Sequence, residues 1–545
     1  MRTPRGVTLL VTALVAASVV TAASPVALAY DRALDPFYAQ SAEWKDCNVL
    51  FPDPAVAGAP VELPECAAIV VPRDYRRPQA GTLSIAVHRR KAKDPAQRQG
   101  VLMLNPGGPG GDGILMPGQF GNQAIAQAFD LIGFSPRGTG FSTNLWCAVD
   151  SGTGTTPTRP TDEQFAAITA EARRLEEQCA HTGGELREHI TTANTARDMD
   201  VIRAAIGEKK INYLGFSYGT YLGAVYGSLF PQHLNRSVLD SSMHPDWFYY
   251  EAFKTQAVAS KQNFDAWAAW VSQRDNTYGL GRTGRDVHAA MEALGERLAL
   301  KPVPGGPQHA PLVTRDVLDQ MLGLDTVARP SWHVTALMIK AIRESAGTGA
   351  LSADAASALG TLIAQRETVR VNGVWYAVTC EANWHTDLNV YYRQMRIFRE
   401  RYPYGPGAMA AAPKHCTFSS SRPTEKLVPL KRSGYPAGLV VQAEYDPKTQ
   451  YAGGPAMARR LSARLLTVTD EGGHGMYGRN SCATKRVDDY LINGVLPVAG
   501  ATCPGAPRPD IAADGEPQSA SPTGSLTEQV RAASAPSTRA GAESR

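Results

Sequence analysis

The chain has 545 residues, of which 43% are hydrophobic and 19% charged, with a formal net charge of +4. This length exceeds what one hydrophobic core usually serves, so one large domain with an insertion, or two domains, is expected. So small a charge excess over so long a chain, with no lysine or arginine run, sets aside nucleic acid and anionic lipid as partners.

The N-terminus carries Arg2 and Arg5, an apolar stretch from Val7 to Ala23, and Ala27-Leu28-Ala29. Charged, apolar and small-residue segments in that order read as a secretory signal over residues 1–29, with the mature chain beginning near Tyr30. The apolar run is interrupted by Thr8, Thr12, Ser18 and Thr21 and is short for a spanning helix, which makes a membrane anchor the weaker reading. An exported chain gives its cysteines an oxidising environment. The eight here form an even set with no C-x-x-C pair and no zinc-ligand spacing. Sequence neighbours close short loops, so the expected disulfides are Cys47 with Cys66, Cys147 with Cys179, Cys380 with Cys416 and Cys482 with Cys503; no metal is expected.

Short strands are expected at Ala67–Pro72, Thr82–His88, Val101–Leu104 and Leu131–Phe134, the first two alternating enough to suggest an antiparallel start. A glycine-rich loop, Asn105-Pro106-Gly107-Gly108-Pro109-Gly110-Gly111, follows the third. It matches neither phosphate-binding fingerprint, but such a loop can aim backbone N–H groups at a developing oxyanion. Helices are expected at Phe165–Cys179 and Thr195–Ile206.

Lys210–Pro231 then reads KKINYLGFSYGTYLGAVYGSLFP, placing Ser217 in G-x-S-x-G between an apolar, β-branched run and a helix-compatible run. That is the sequence form of a nucleophile elbow, in which a strand turns sharply into a helix and lifts the serine hydroxyl above the sheet edge. Gly219, Gly223 and Gly227 recur every four residues, a small-residue stripe for close packing on a sheet, and Pro231 ends the helix. A serine hydrolase is the chemistry this points to.

After a strand at Ser237–Leu239, residues 247–373 turn alanine-rich and helix-prone, with Trp267, Trp270 and Trp332, and read as a helical insertion over the sheet edge. The core resumes at 374–503, with strands at Leu439–Gln442 and Leu465–Thr469 and a closing helix at Lys485–Ile492. Residues 504–545 hold few large apolar side chains and are expected to be disordered. Strands alternating with helices imply a mainly parallel, doubly wound α/β sheet with a helical cap, its first part spanning 30–246.

A serine hydroxyl needs a base, and the base needs a carboxylate that holds its tautomer. In this architecture the chain order is serine, acid, histidine. Asp446 follows the strand LVVQ in the turn AEYDPKT, with Glu444 and Asp470 as rivals. His474 lies in DEGGHG after the strand RLLTVT, with His415 and His385 next in rank. The oxyanion hole falls to the amides of Gly108 and Tyr218.

These residues resemble a known family. NPGGPG at 105–110, SPRGTGFS at 135–142, GFSYGTYLG at 215–223, the Asp446 turn, GGHG at 472–475 and YLINGVLP-x5-C at 490–503 are similar to secreted actinobacterial tripeptidyl aminopeptidases of the proline iminopeptidase-like α/β-hydrolases, over residues 40–503. The resemblance implies an α/β-hydrolase fold with a helical cap, no cofactor, and release of short peptides from free N-termini. It maps nucleophile, acid and base onto Ser217, Asp446 and His474. Two departures stand out: Ser135 where aspartate is frequent, and Lys448-Thr449-Gln450 in place of a segment ending in Thr-Pro. Neither is expected to touch the triad.

An aminopeptidase must hold a protonated α-amine, and a desolvated ammonium needs a counter-charge. Glu381, in VTCEANWH, is the candidate; a structural carboxylate beside Cys380 is the alternative. The reading is thus a secreted, extracellular, monomeric serine exopeptidase acting on peptide or protein N-termini. It carries no nucleic-acid partner, and no membrane contact once the signal is removed. A carboxylesterase with the same triad, or a silent binding protein on the same scaffold, are the rivals.

Overall fold

A computed structural model describes residues 25–52, 63–147, 157–305, 312–364, 373–421, 425–517 and 524–534; of the expected signal segment 1–29, residues 1–24 lie outside them. The strands are β1 (Glu65–Pro72), β2 (Thr82–Arg90), β3 (Val101–Asn105), β4 (Asp130–Phe134), β5 (Ile211–Phe216), β6 (Leu234–Asp240), β7 (Leu439–Ala443), β8 (Arg464–Thr469) and β9 (Thr502–Pro504). They form one nine-stranded sheet in the order β1-β2-β4-β3-β5-β6-β7-β8-β9. β2 runs antiparallel to β1 and β4, and every later pairing is parallel.

Parallel strands covered on both faces read as unbroken apolar runs, and every residue of β3, β4 and β7 is buried. The period of two in β3 divides the core: Val101 and Met103 pack on one face with α1 (Pro25–Ala39), α3 (Thr192–Ala205) and α4 (Tyr218–Leu229), after α2 (Phe165–Gly183) has been passed in the chain. Leu102 and Leu104 face the other layer.

The glycine stripe of α4 packs as its spacing requires. A Cβ on Gly219 would lie 2.7 Å from Asn105 Oδ1, on Gly223 2.3 Å from the Tyr213 ring, and on Gly227 2.8 Å from the Tyr435 hydroxyl. Any side chain at these positions would push α4 off the sheet.

Between β6 and β7 come α5 (Tyr250–Ser272), α6 (Gly284–Leu300), α7 (Arg315–Leu324), α8 (Trp332–Thr348), α9 (Ala353–Ala364) and α10 (Leu388–Arg401). α5 to α9 share a core of their own around Trp267 and Trp332. Helix α10 and 3₁₀ turns carry on to Phe418, and the strand pattern resumes at Leu439, where the sequence puts it, while Val374, Ala377 and Val378 already pack in the sheet core. After β7 the chain forms α11 (Gly453–Arg460) and α12 (Ser481–Asn493), which buries Val487, Tyr490 and Leu491 against the second face.

The disorder expected over 504–545 is corrected for the described residues 504–517 and 524–534. α13 (Leu526–Ser534) docks on α9: Asp354 accepts the N–H groups of Leu526 at 2.7 Å and Thr527 at 3.1 Å, and Val530 is fully buried. Val530, with Leu526 and Ala533 partly buried beside it, and a remote cap hold this helix, so its own composition carries little signal of it. Asp514 reaches the end of α5, and Arg508 pairs with Asp470 at 2.7 Å. The disulfides join Cys47 to Cys66, Cys147 to Cys179, Cys380 to Cys416 and Cys482 to Cys503, each between sequence neighbours. Among the described residues no helix is long and apolar enough to cross a membrane.

Candidate active site

Ser217 sits in the turn between β5 and α4 with φ 58° and ψ −127°, backbone space that costs a residue with a side chain on the order of 1–3 kcal/mol. Its N–H donates to Asp240 O at 3.0 Å, fixing the turn to the neighbouring strand. A Cβ on Gly215 would meet Gly219 O at 2.6 Å, so the tight turn requires glycine there. The Ser217 hydroxyl has no hydrogen-bond partner among the described residues and is half-buried.

The glycine loop after β3 lies directly against this turn. A Cβ on Gly107, whose φ is +91°, would sit 2.3 Å from Phe216 O, 2.9 Å from Ser217 Cβ and 3.0 Å from Tyr218 N. Asn105 Oδ1 accepts the Gly107 N–H at 3.0 Å and so orients the loop. The N–H groups of Gly108 and Tyr218 donate to no group among the described residues, Tyr218 being the first residue of α4 with no preceding helical carbonyl to reach. Two unspent donors therefore flank the serine.

Asp446 follows β7 and is fully buried. Its carboxylate accepts the Lys448 N–H at 2.8 Å and the Thr449 N–H at 3.0 Å, the turn an aspartate forms when it caps its own following residues. His474 Nδ1 lies 2.8 and 3.0 Å from the two carboxylate oxygens. An ionised carboxylate only accepts, so Nδ1 carries the proton and Nε2 is left as the basic nitrogen, without a hydrogen-bond partner among the described residues. The histidine loop abuts the elbow: a Cβ on Gly475 would stand 3.5 Å from the Phe216 ring, and the Gly475 N–H donates to Ser241 Oγ at 2.7 Å.

The structure thus joins Asp446 and His474 directly and brings their loop to Ser217's neighbour, with no hydrogen bond between His474 and Ser217. The rival residues are engaged elsewhere. Glu444 takes the Asp470 N–H at 2.7 Å, and Asp470 pairs with Arg508. His415 is buried with Nε2 3.1 Å from Thr379 Oγ1, its pKa pushed down to about 3 by burial, and His385 lies edge-on to Tyr250. One expectation is corrected: the Lys448–Gln450 departure does reach the candidate acid and base. Thr449 Oγ1 shares its one proton between Asp446 at 3.0 Å and the Ser241 carbonyl at 2.9 Å, and stands 3.4 Å from His474 Nδ1. The aspartate-proline turn at 446–447 was the available signal for such contacts. Ser135 meanwhile donates to Asp112 at 2.8 Å, away from this cluster.

Glu381 comes to the other side of the elbow. One carboxylate oxygen accepts the Thr192 N–H, the other accepts Thr192 Oγ1 at 2.8 Å, and that hydroxyl lies 2.7 Å from the hydroxyl of Tyr218, the residue after the serine. No lysine or arginine pairs with Glu381 among the described residues. Burial pushes its pKa up to about 7, the Thr192 bonds opposing and Glu425 adding to the rise. Thr192, which nothing in the sequence singles out, is what connects this carboxylate to the elbow. Glu381, Thr192, Tyr221 and Glu425 line a narrow recess there.

Residues 100–332 match the profile described as "alpha/beta hydrolase fold" and residues 402–503 that described as "TAP-like protein". The chain is 34% identical to "Tripeptidyl aminopeptidase" of Streptomyces lividans, covering 86% of this chain and 88% of that protein. It is 29% identical to "Serine protease Hip1" of Mycobacterium tuberculosis, over 87% of this chain and 92% of the other. A third relative from that organism, "Carboxylesterase B", is 28% identical over 86% and 91% of the two chains.

Proposed function

Because the chain belongs to the tripeptidyl aminopeptidase family of α/β-hydrolases, and is a serine hydrolase of the peptidase kind, we propose that it is a secreted exopeptidase that releases short peptides, tripeptides foremost, from free N-termini. Ser217 Oγ attacks the scissile carbonyl while His474 Nε2 takes its proton, and Asp446 holds the Nδ1–H tautomer and stabilises the imidazolium. The Gly108 and Tyr218 N–H groups receive the oxyanion. His474 then gives the proton to the leaving amine, and water resolves the acyl-enzyme by the same path in reverse. The single observation carrying this reading is the Asp446 to His474 Nδ1 contact at 2.8 Å beside the strained Ser217 turn.

Glu381 supplies the counter-charge for the substrate's α-ammonium. A buried carboxylate without a cationic partner is costly, and an arriving ammonium removes that cost. Secretion is supported by four disulfides, which persist in oxidising compartments.

The test is labelling by a fluorophosphonate probe together with product analysis of a peptide library. Adduct formation at Ser217, its loss in Ser217→Ala, and tripeptides as the main products are the expected results. A folded protein that the probe leaves untouched sinks the proposal. The relative named a carboxylesterase favours a second reading, the same triad acting on esters; faster turnover of short acyl-ester than of tripeptide chromogens would select it.

A further inference from the structure

Asp240 ends β6, the strand beside the elbow strand, where it stands opposite Phe216. Its carbonyl accepts the Ser217 N–H at 3.0 Å. Its carboxylate accepts the Met476 N–H at 3.0 Å and the Tyr477 N–H at 2.7 Å, both from the loop that carries His474. Ser241, next in the chain and in the left-handed region at φ 56°, extends the grip: its hydroxyl takes the Gly475 N–H at 2.7 Å, its carbonyl the Thr449 hydroxyl at 2.9 Å, and its own N–H donates to Val441 at 2.9 Å. Both residues are fully buried.

We infer that Asp240, with Ser241, is a positioning residue that fixes where His474 stands relative to Ser217. The dipeptide is bonded to the serine turn, to the threonine that holds the candidate acid, and to three consecutive amides of the base loop. No lysine or arginine pairs with the Asp240 carboxylate among the described residues, so its ionised form rests on those amides. Burial pushes its pKa up to about 6 while the amides pull it back. A buried carboxylate of this kind is a poor source of stability, since apolar residues of like size do as well or better. Its value lies in geometry: two amides of a glycine-rich loop can be fixed by one rigid acceptor, and a misplacement near 1 Å at a reacting group costs on the order of a hundredfold.

The inference rests on the reading of Ser217 and His474 as nucleophile and base. It is tested on the full-length chain by Asp240→Asn, which keeps size but puts an amide where an acceptor is needed, and by Ser241→Ala. The readouts are kcat and KM on a tripeptide chromogen and the second-order rate of fluorophosphonate labelling of Ser217, each per folded molecule. The expected result for Asp240→Asn is a fall in kcat on the order of 10- to 100-fold with KM within about twofold, the labelling rate falling in parallel. Ser241→Ala should move the same two quantities in the same direction by less. A folded Asp240→Asn whose kcat stays within about threefold, or whose loss lies in KM alone, overturns the inference. Should Asp240→Asn fail to fold, Ser241→Ala decides, and unchanged kcat and labelling there overturn it equally. Turnover surviving in Ser217→Ala would instead bring down the functional reading, and the inference with it.

Discussion

Thr449 holds Asp446 from two directions, its N–H and its hydroxyl each lying 3.0 Å from a carboxylate oxygen. The backbone half of this grip survives any substitution, while the hydroxyl half does not. Thr449→Val should therefore leave the turn intact and remove a hydroxyl whose one proton is shared between Asp446 and the Ser241 carbonyl, a charge-assisted contact worth at most about 1.5–3 kcal/mol. Steady-state kinetics should show kcat/KM lowered roughly 10- to 100-fold with KM little changed. A Thr449→Ser variant should restore most of the loss, and failure of that rescue would assign the effect to packing.

Gly107 has no room for a methyl group. With φ +91° and a prospective Cβ 2.3 Å from Phe216 O, Gly107→Ala must displace either the oxyanion loop or the serine turn. Loss of one such donor alone costs about 2.7–4 kcal/mol of transition-state stabilisation. Gly107→Ala should fold, bind substrate with KM near that of the parent, and lose at least about a hundredfold in kcat.

The role proposed for Glu381 makes amine recognition depend on pH. Its pKa stands at about 7, raised first by burial, so the carboxylate is neutral below that pH and charged above it. For peptides with a free N-terminus, KM should rise as pH falls below about 7, by roughly tenfold per unit once the group is mostly protonated. N-blocked peptides should show no such rise. Glu381→Gln should abolish the dependence and narrow the preference for free amines; equal relative efficiencies in parent and variant would refute the assignment.

Arg137, from the SPRGTGFS segment, is a stability residue of another kind. Its guanidinium is fully buried and forks onto Asp198 with two 2.6 Å bonds, while three backbone carbonyls take its other donors. Arg137→Leu would leave the Asp198 charge buried with only the Tyr75 hydroxyl beside it. Urea denaturation should report a loss of about 3–5 kcal/mol.

What could be read from the residues divides along a physical line. Strands such as Val101–Leu104 and Leu439–Gln442 announce themselves because a two-sided sheet demands continuous apolar runs, and the observed β3 and β7 are each longer by one residue only. Ser217, Asp446 and His474 stand out because each occupies a turn just past such a run. Asp240 and Thr192 do not, because their roles arise from bonds across the fold between segments far apart in the chain, whereas Thr449 is three residues from Asp446 and its signal lay in the local turn. The helix at Leu526–Ser534 escapes for a related reason: its order is supplied by Asp354 and by the groove that takes Val530, not by its own composition.

The cysteine bridges carry one last implication. No bridge includes a residue of the helical layer α5 to α9, whose span from 250 to 364 holds no cysteine. No covalent stitch crosses the seam between that layer and the sheet. Among the polar contacts across the seam, Arg329 donates to the Asp470 carbonyl at 3.1 Å and Asn263 to Tyr445 O at 2.8 Å, the two carbonyls belonging to the loops that bear His474 and Asp446. Any hinging of the two halves to admit a peptide is thus free to proceed with every bridge closed, and it would tug first on the machinery it serves.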